Sequence, residues 1–312
     1  MLKPRLLFAL GALPCLLSAQ NLVPNGSFEL GTAGYGIRTN LRFDTNPEQK
    51  FFPLGTVAGP DGKQVLRIRN PHANRFELHS RQFPLKADTE YTFRFKIRST
   101  AKNGQELFAV PYSVKNNWKG WMVRVKATDQ WRNCEYKFKT GPKDGAPYFY
   151  HLQFRDVNNS EIPASDIYID DIQLFETKSV PAKTVEFALN IADPLIVSDG
   201  KTPVTLTLKA GNFTDKPWQG TVTVGATEEF LGTRAEPRKF ELRLSPGEVR
   251  EIPVKWNLPY GAYCATAVAE GIGHSIPAYF AVAGKYERKK RDFDRDFCIG
   301  LNSGIGIVQN GE

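Results

Sequence analysis

The sequence predicts an all-β protein: a jelly-roll β-sandwich followed by an immunoglobulin-like β-sandwich. Three observations support this. Short stretches alternate apolar with polar residues, most clearly from Tyr91 to Arg98. Turn sequences separate these stretches, as at Pro60-Asp61-Gly62, and no amphipathic helix is visible between Asn21 and Glu176. A polar, proline-containing stretch at residues 177–184 then divides two sets of strands.

Length and composition fit a globular protein of two domains. The chain has 312 residues, of which 41% are hydrophobic and 24% charged. Residues 1–20 are typical of a secretory signal: Lys3 and Arg5 precede an apolar stretch too short to span a bilayer with confidence. The expected location is therefore secreted or periplasmic. No later apolar stretch is long enough for a membrane span, so none is expected.

Cysteine content and charge exclude some classes of function. Cys134, Cys264 and Cys298 would remain after cleavage, an odd and widely spaced set without a disulfide framework or zinc spacing. The formal net charge is +8. For an exported chain, this charge favours an acidic polymer as partner over nucleic acid, although a general solubilising role explains it equally well.

The strands of the first domain follow one another in order. Alternating stretches occupy residues 65–69, 75–79, 91–98, 121–126, 131–139 and 148–155. Alternation from 91 to 98 places Tyr91, Phe93, Phe95 and Ile97 on the core side. From 148 to 155 it places Tyr148, Tyr150, Leu152 and Phe154 inward, and His151, Gln153 and Arg155 outward.

The last strand of this domain, Asp166–Glu176, carries two adjacent acids inside an apolar stretch. Asp170 and Asp171 face opposite sides of a regular strand, so at least one of them points inward or into a sheet edge. A buried carboxylate requires a cation or several hydrogen-bond donors. The N-terminal segment Asn21–Glu29 is the other unusual stretch, about 140 residues earlier in the chain.

These two segments, together with residues 83–93 and Thr128–Arg132, resemble the galactose-binding-like jelly-roll carbohydrate-binding modules of families 4, 9 and 22. The resemblance implies that the first and last strands lie together and share a structural calcium ion. Its expected ligands are Ser27 or neighbouring carbonyls, Glu29, and Asp170 or Asp171, since calcium prefers carboxylate and carbonyl oxygens. The alternative is that these acids cap turns or pair with Lys and Arg. Trp131 is expected in the core.

The resemblance also implies a glycan-binding surface, with aromatic side chains for sugar faces and planar polar groups for hydroxyls. Trp118 and Trp121 lie in a polar loop, where they either stack on a ligand or fold back onto the core. Basic residues fill outward positions, namely Arg67, Arg69, Arg94, Lys96, Arg98, Arg124, Lys126 and Arg155. If several share one sheet they favour acidic glycans; otherwise they form an ordinary solvated face. The candidate ligand-binding residues are Trp118, Trp121, Tyr112, Arg94, Lys96, Arg155 and Gln153.

The domain boundaries follow from these patterns: 1–20 signal peptide, 21–178 jelly roll, 179–284 immunoglobulin-like sandwich and 285–312 connector and further segment. The second sandwich shows about seven alternating stretches and is expected to act as a spacer. Residues 285–296 are charged. Residues 297–308 look like the first strand of a glycoside hydrolase (β/α)₈ barrel, for which this chain has no room.

The predicted function is non-catalytic binding of polysaccharide, with a preference for acidic chains, by a monomeric accessory protein or fragment of a polysaccharide-degrading enzyme. One alternative is a glycan-active lyase or hydrolase that uses Tyr150, His151 and Arg155. Another is an extracellular adhesion or protein-interaction module, in which the loop carrying Trp118 and Trp121 is packed rather than exposed.

Overall fold

The computed structural model describes residues 18–39, 54–70, 76–117, 119–157, 164–192, 195–198 and 203–284. Within these ranges the chain forms twenty-three β-strands, and no helix there is long and apolar enough to cross a bilayer. The predicted all-β class is thereby confirmed. The candidate ligand residue Trp118, most of the predicted signal peptide and the segment 285–312 lie outside the described residues.

The first sandwich contains two sheets of antiparallel strands. Its strands are β2 (Tyr35–Thr39), β3 (Leu54–Ala58), β4 (Gln64–Asn70), β5 (Phe76–Ser80), β6 (Phe83–Pro84), β7 (Glu90–Ser99), β8 (Gln105–Ser113), β9 (Lys119–Gly120), β10 (Val123–Ala127), β11 (Arg132–Lys139), β12 (Phe149–Asp156) and β13 (Ser165–Glu176). One sheet has five strands in the order β11-β7-β13-β4-β3. The other has seven, ordered β10-β8-β12-β5-β2, with β6 paired to β12 and β9 to β8.

The core lies between these sheets, on the faces that alternation predicts. On β7, Tyr91, Phe93, Phe95 and Ile97 are all buried. From β12, Tyr150, Leu152 and Phe154 point inward, and Phe154 meets Phe95 edge-on with ring centroids 5.1 Å apart. Trp131 differs from expectation. It is half-buried and lies with the Arg98 guanidinium 6.0 Å from its ring, outside the core.

The N-terminal segment closes this sandwich against its last strand, as the resemblance implied. The Leu22 N–H donates to the Leu174 carbonyl at 2.9 Å, and the Ile172 N–H donates to the Gly26 carbonyl at 2.9 Å. The Asn21 side chain joins the same two strand residues: its amide donates to Ile172 O, and its oxygen accepts from the Leu174 N–H. Residues 21–26 are therefore tied to β13 by main-chain and side-chain bonds.

The second sandwich pairs a three-stranded sheet with a six-stranded sheet. Its strands are β15 (Val185–Asn190), β16 (Leu195–Ser198), β17 (Val204–Asn212), β18 (Trp218–Glu228), β19 (Arg238–Leu244), β20 (Val249–Trp256), β21 (Gly261–Ala269), β22 (Gly273–His274) and β23 (Ala278–Gly284). The sheets run β15-β17-β20 and β16-β23-β21-β18-β19, with β22 on β21. Leu208, Val224, Trp256, Tyr263 and Phe280 lie in its core. The nine strands exceed the expected seven, and the immunoglobulin-like assignment stays a prediction.

The stretch 177–184 is anchored rather than free. Strand β14 (Val180–Ala182) pairs in parallel with β1 (Ser18–Gln20), the predicted exit of the signal peptide. A small apolar cluster of Leu30, Ala188 and Ile276, which we call the joint, then connects the two sandwiches. This joint holds a polar contact as well, because the buried Asn25 donates its N–H to the Glu186 carboxylate at 3.0 Å. The two sandwiches therefore share a packed contact.

Candidate functional site

A continuous patch of polar and aromatic side chains covers the outer face of the seven-stranded sheet. Because Leu152 and Phe154 belong to the core, the side chains of His151, Gln153 and Arg155 point the other way, as alternation predicts. Strand pairing adds their neighbours: Gln153 lies opposite His79, His151 opposite Tyr112, and Arg155 opposite both Phe108 and Glu77. We call this set the polar face: Glu77, His79, Phe108, Tyr112, His151, Gln153 and Arg155.

Two histidines lie at its centre. The rings of His79 and His151 are 4.9 Å apart, and Tyr112 approaches His151 edge-on at 5.6 Å. His79 Nε2 lies 3.3 Å from the Glu77 carboxylate. Burial, assisted by the charge of His79, lowers the pKa of His151 to about 4. His151 is therefore neutral near pH 7, where it presents one hydrogen-bond donor and one acceptor.

Two buried polar atoms of this face lack a hydrogen-bond partner among the described residues. Arg155 Nε and His151 Nε2 are both buried and form no hydrogen bond among the described residues. Gln153 points away from the core and yet is only 5% exposed, because its neighbours cover it. Arg155 and Arg124 flank the Phe108 ring, with guanidinium carbons 5.6 and 5.9 Å from its centroid. Unpaired buried polar atoms are costly, which makes them candidates for ligand bonds.

Trp121 does not take part in this face. Its ring stacks on Phe138 at 4.6 Å and packs near Tyr150 at 5.6 Å, and its indole N–H donates to the Lys139 carbonyl. Lys119 covers the ring with its ammonium 5.5 Å from the centroid. Trp121 therefore folds back onto the core, which was one of the two alternatives open from the sequence. The aromatic members of the polar face are Tyr112 and Phe108.

Arg94 and Lys96 lie on the five-stranded sheet, away from Tyr112, Gln153 and Arg155. Arg94 pairs with Glu135 at 2.8 Å, and Lys96 pairs with Asp171. The structure therefore does not bring Arg94 and Lys96 together with the other ligand candidates, because β7 and β12 belong to different sheets.

The other basic residues at outward positions are also distributed over the two sheets. Arg67 pairs with Asp166 at 2.5 Å on the five-stranded sheet, and Arg124 lies 3.6 Å from Glu106 on the seven-stranded sheet. An acidic partner thus offsets each of these charges. A uniformly basic sheet is not present among the described residues, because cross-strand acids that are distant in sequence neutralise it.

The alternative enzymatic set is not assembled. Tyr150 is fully buried in the core, where its hydroxyl donates to the Asp144 carbonyl and accepts from the Asn116 amide. His151 and Arg155 are on the opposite side of β12. The geometry thus excludes joint action of these three residues on one substrate.

An acidic cluster occupies the junction of β13 with the N-terminal segment. The register of β13 shifts between Asp170 and Gln173, and Asp171 adopts a positive φ of 49°. Asp170 is only 8% exposed, and burial together with the charge of Asp171 raises its pKa to about 7. The bulge therefore places both acids on one side of the strand, where neither belongs to the core.

Glu29 completes this cluster from the N-terminal segment. Its carboxylate accepts the Gln64 N–H at 3.0 Å. Burial raises its pKa, and the charges of Asp61 and Asp171 add to this rise. The charges of Asp61 and Asp171 thus raise the pKa of both Glu29 and Asp170, and the positive charge of Lys96 lies beside Asp171.

The cluster fits a hard cation in chemistry, since Asp170 offers a buried carboxylate and Glu29 a partly buried one, both with raised pKa values. Among the described residues, no three acidic, histidine or cysteine side chains already form a metal-binding group. The remaining oxygens would have to come from carbonyls or water, as in many calcium sites. Ser27, in the same loop as Glu29, is partly exposed. Asp171 is engaged by Lys96, which leaves Asp170 as the acid of the pair better suited to a cation.

Comparisons with known proteins return carbohydrate-binding modules. No protein-family model matches the chain, and no curated protein matches it significantly. Among solved structures, a family 16 carbohydrate-binding module is 19% identical with a TM-score of 0.36, and the match covers 50% of this chain and 100% of the module. The module TmCBM61, solved with β-1,4-galactotriose, is 17% identical with a TM-score of 0.36, over 50% and 99% of the two chains.

A third similar structure joins such a module to a larger protein. It contains the CBM22-1 and GH10 modules of the Clostridium thermocellum endo-1,4-β-D-xylanase 10B, solved with xylohexaose. It is 13% identical with a TM-score of 0.32, over 49% of this chain and 28% of that one. The class of module returned is the one that the sequence resembles. At these identities and scores the similarities assign no ligand, so a function has to be derived from the chain's own residues.

Sequence reasoning missed His79, Glu77 and Phe108 as candidates. The alternation at residues 75–79 was visible, and it already indicated that Glu77 and His79 share a face. What the sequence could not provide was the strand order β8-β12-β5, which brings β5 beside Gln153 and Arg155. Phe108 lies on β8, within residues 105–113, a stretch for which no strand was predicted.

Proposed function

We propose that this protein binds carbohydrate, without cleaving it, on the polar face of the first sandwich. The single observation that supports this most is a pair of buried polar atoms, His151 Nε2 and Arg155 Nε, which have no hydrogen-bond partner among the described residues and lie on either side of the buried Gln153. Sugar hydroxyls require planar donors and acceptors at fixed positions, and these side chains offer them. Tyr112 and Phe108 add aromatic surface for the apolar side of a sugar ring.

We further propose that the carbohydrate ligand carries carboxylate or sulfate groups. Arg155 and Arg124 approach the same aromatic ring from two strands, so an anionic group bound above Phe108 would meet two guanidinium groups. Glu77 and Glu106 lie close by and limit this preference. We therefore expect acidic polysaccharides to bind more tightly than neutral ones, with the difference decreasing as salt is added.

We also propose a calcium ion at the acidic cluster, with Glu29 and Asp170 as carboxylate ligands and carbonyls of the segment around Ser27 completing the shell. The ion would offset the negative charges of the buried Asp170 and the partly buried Glu29. It would also hold the first segment of the sandwich against the last strand, so its contribution would be to stability.

The setting we propose is that of an exported, monomeric accessory protein or fragment of a polysaccharide-degrading enzyme. Such a module raises the local concentration of whatever it is attached to on the polymer. Weak binding at one site is sufficient for this role.

A second candidate function is interaction with protein, and the packed position of Trp121 favours it. A packed tryptophan at this loop is what an adhesion module was expected to show. The polar face nevertheless has polar atoms without a partner among the described residues, a feature more useful for hydroxyls than for an apolar protein contact.

The decisive experiment is affinity electrophoresis of the full chain in gels that contain neutral or acidic polysaccharide. Retardation by at least one polymer is expected. Gln153→Ala and Arg155→Ala should each weaken it about tenfold, since a lost hydrogen bond to a charged group costs about 1.5–3 kcal/mol. Arg94→Ala is the matched control on the opposite sheet and should change it less than twofold.

Two outcomes would reject the proposal. One is the absence of retardation by every polymer, which would favour protein interaction. The other is equal loss in Arg94→Ala and Arg155→Ala, which would mean that charge alone causes retention. Release of unsaturated or reducing sugar ends during the assay would show instead that the chain is an enzyme.

A further inference from the structure

Two adjacent apolar side chains project into solvent at one end of the second sandwich. Phe230 is 77% exposed and Leu231 84%, the largest exposures among the large apolar side chains of the described residues. They follow the last residue of β18. Surface apolar residues are common singly, but an adjacent pair of this size usually marks a contact with another surface.

The turn that carries them is well bonded. The Glu228 carboxylate accepts the N–H groups of both Phe230, at 3.0 Å, and Leu231. The Glu228 N–H donates to the Thr233 carbonyl at 2.8 Å, and the Gly232 N–H donates back to the Glu228 carbonyl at 3.0 Å. Gly232 supplies the positive φ of 69° that this turn requires. The backbone therefore holds both side chains outward, and they cannot easily fold onto the sandwich.

The chain leaves the second sandwich at the same end. Glu228 on β18 pairs with Tyr263 on β21, and Gly261 on β21 pairs with Val282 on β23, two residues before the exit at Gly284. Neighbouring strands are about 4.8 Å apart, so the exit lies roughly 10 Å from the turn. Tyr260 lies between this turn and the chain exit, and it is 60% exposed. Its ring is 3.2 Å from the position that a Cβ on Gly284 would occupy.

This end faces away from the first sandwich. Ile276, which forms the joint with Leu30 and Ala188, precedes β23, whereas Gly284 ends it. We call Phe230, Leu231 and Tyr260 the apolar tip. Its position beside the chain exit makes the following segment the surface it can most readily meet.

That segment has the matching composition. Residues 285–296 are mostly charged, and residues 297–308 then read Phe-Cys-Ile-Gly-Leu-Asn-Ser-Gly-Ile-Gly-Ile-Val. Twelve connecting residues span up to about 40 Å when extended, so residue 297 can reach the tip easily. The 297–308 segment contains no charged residue, and it needs an apolar surface to be shielded from water.

We propose that the apolar tip is the docking surface for residues 297–308 of the same chain. The second sandwich would then be more than a spacer. It fixes the first sandwich at one end through the joint, and at the other end it orients whatever begins at Phe297. This inference does not depend on carbohydrate binding, because the tip and the polar face lie on different sandwiches.

The test uses Cys298, which lies inside the proposed docking segment, in the full chain. The alkylation rate of Cys298 in the full chain is measured by mass spectrometry of the peptide that begins after Arg295. It is compared with the alkylation rate of a synthetic peptide of the same sequence. We expect at least tenfold slower alkylation in the folded chain. The double variant Phe230→Ser/Leu231→Ser should bring the rate close to that of the peptide, and Tyr260→Ser should raise it partly.

Ile272→Ser is the matched control, since Ile272 is 37% exposed at the opposite end of the sheet and should leave the rate unchanged. Cys264 lies on β21 of the same sandwich and is partly buried, so an unchanged alkylation rate of Cys264 in every variant verifies that this sandwich is folded. Alkylation of Cys298 at the peptide rate in the wild type would overturn the proposal. So would protection that persists in the double variant, or protection that disappears on dilution, which would identify a second copy as the occupant.

Discussion

His151 shows how a single side chain on the polar face responds to its surroundings. It lies between Tyr112 and His79, and its Nε2 is buried and has no hydrogen-bond partner in the part of the chain that the structure describes. Burial disfavours its charged form, so its pKa falls from 6.5 to about 4 in the folded protein. A neutral imidazole can both donate and accept a hydrogen bond, which suits a sugar hydroxyl better than an imidazolium does.

This shift predicts a pH dependence of stability. Between pH 4 and 6.5 the unfolded chain binds a proton at His151 that the folded chain does not, so this residue lowers the free energy of unfolding as pH falls through that window. His151→Gln should remove the dependence. The free energy of unfolding of the wild type and of His151→Gln is measured with denaturant at pH 4, 5, 6 and 7, and the difference between the two proteins at each pH checks the prediction. A difference that stays constant over this range would contradict the assignment.

Asp170 acts in the opposite direction. Its pKa is about 7 in the folded protein, against an ordinary value of 3.8. Between pH 4 and 7 the folded state therefore binds a proton that the unfolded state does not, and the free energy of unfolding decreases as pH rises through this range. The full effect is roughly 4 kcal/mol, since one pKa unit corresponds to about 1.4 kcal/mol. Calcium would remove this loss, because it binds the ionised carboxylate.

The expected result is therefore a melting temperature at pH 7 that rises with calcium and falls with chelator. Asp170→Asn should abolish both responses and should be more stable than the wild type in chelator. Asp166→Asn is a matched control on the same strand, since Asp166 pairs with Arg67 and lies outside the acidic cluster. An identical melt in calcium and chelator would remove the calcium proposal.

At the scale of elements, the N-terminal segment 21–30 connects three features that are far apart in sequence. Asn21 and Gly26 bond to β13, Glu29 reaches the acidic cluster, and Leu30 packs at the joint. Asn25 holds the turn together: its amide donates to the carbonyls of Gly31 and Ala33, and its oxygen accepts from the Leu30 N–H. A change in this segment should therefore affect both sandwiches.

Gly26 is the most sensitive position in it. A Cβ added there would lie 1.9 Å from the Ile172 carbonyl oxygen, which is main chain and cannot move aside. Gly26→Ala should therefore cost at least about 3 kcal/mol of unfolding free energy by forcing the segment off β13. Gly36→Ala is the control, because no heavy atom lies within 4 Å of its added Cβ. Chemical denaturation measures both; equal stabilities of the two variants would contradict the close approach.

At the scale of the whole molecule, the joint determines whether the sandwiches behave as one body. Leu30 and Ala188 are fully buried and Ile276 is 7% exposed, and the buried Asn25–Glu186 hydrogen bond lies beside them. A packed contact of this kind couples the unfolding of its two sides. Residues 177–184, which divide the two sets of strands, are hydrogen-bonded to both sandwiches, and the role of the second sandwich as a spacer stays a prediction.

Calorimetry tests this coupling. The wild type should unfold in one transition. Ile276→Ala should divide it into two, because a cavity at a buried isoleucine costs about 2–5 kcal/mol and the joint is small. Ile272→Ala, at a partly exposed position nearby in sequence, should leave one transition. Two transitions already present in the wild type would show that the joint does not couple the sandwiches.

Patterns local in sequence were enough to predict many of the strands, although not β8. Alternation identified the buried faces of β7 and β12 because the period of two is a property of any strand. The resemblance of residues 21–29 and 166–176 to the opening and closing strands of the carbohydrate-binding modules also implied that these segments meet. Trp121 and Trp131 were harder, because exposure of a tryptophan depends on which neighbours the fold brings to it.

By itself, then, the sequence determined the all-β class, the division near residue 180, the outward set His151, Gln153 and Arg155, and the pair of acids on the closing strand. Only the tertiary structure decided that Arg94 and Lys96 lie on the other sheet, that His79 joins His151, and that a bulge separates the roles of Asp170 and Asp171. The reason is physical. Alternation fixes the side of a strand on which a residue lies, whereas strand order and register depend on contacts between residues that are tens to more than a hundred positions apart.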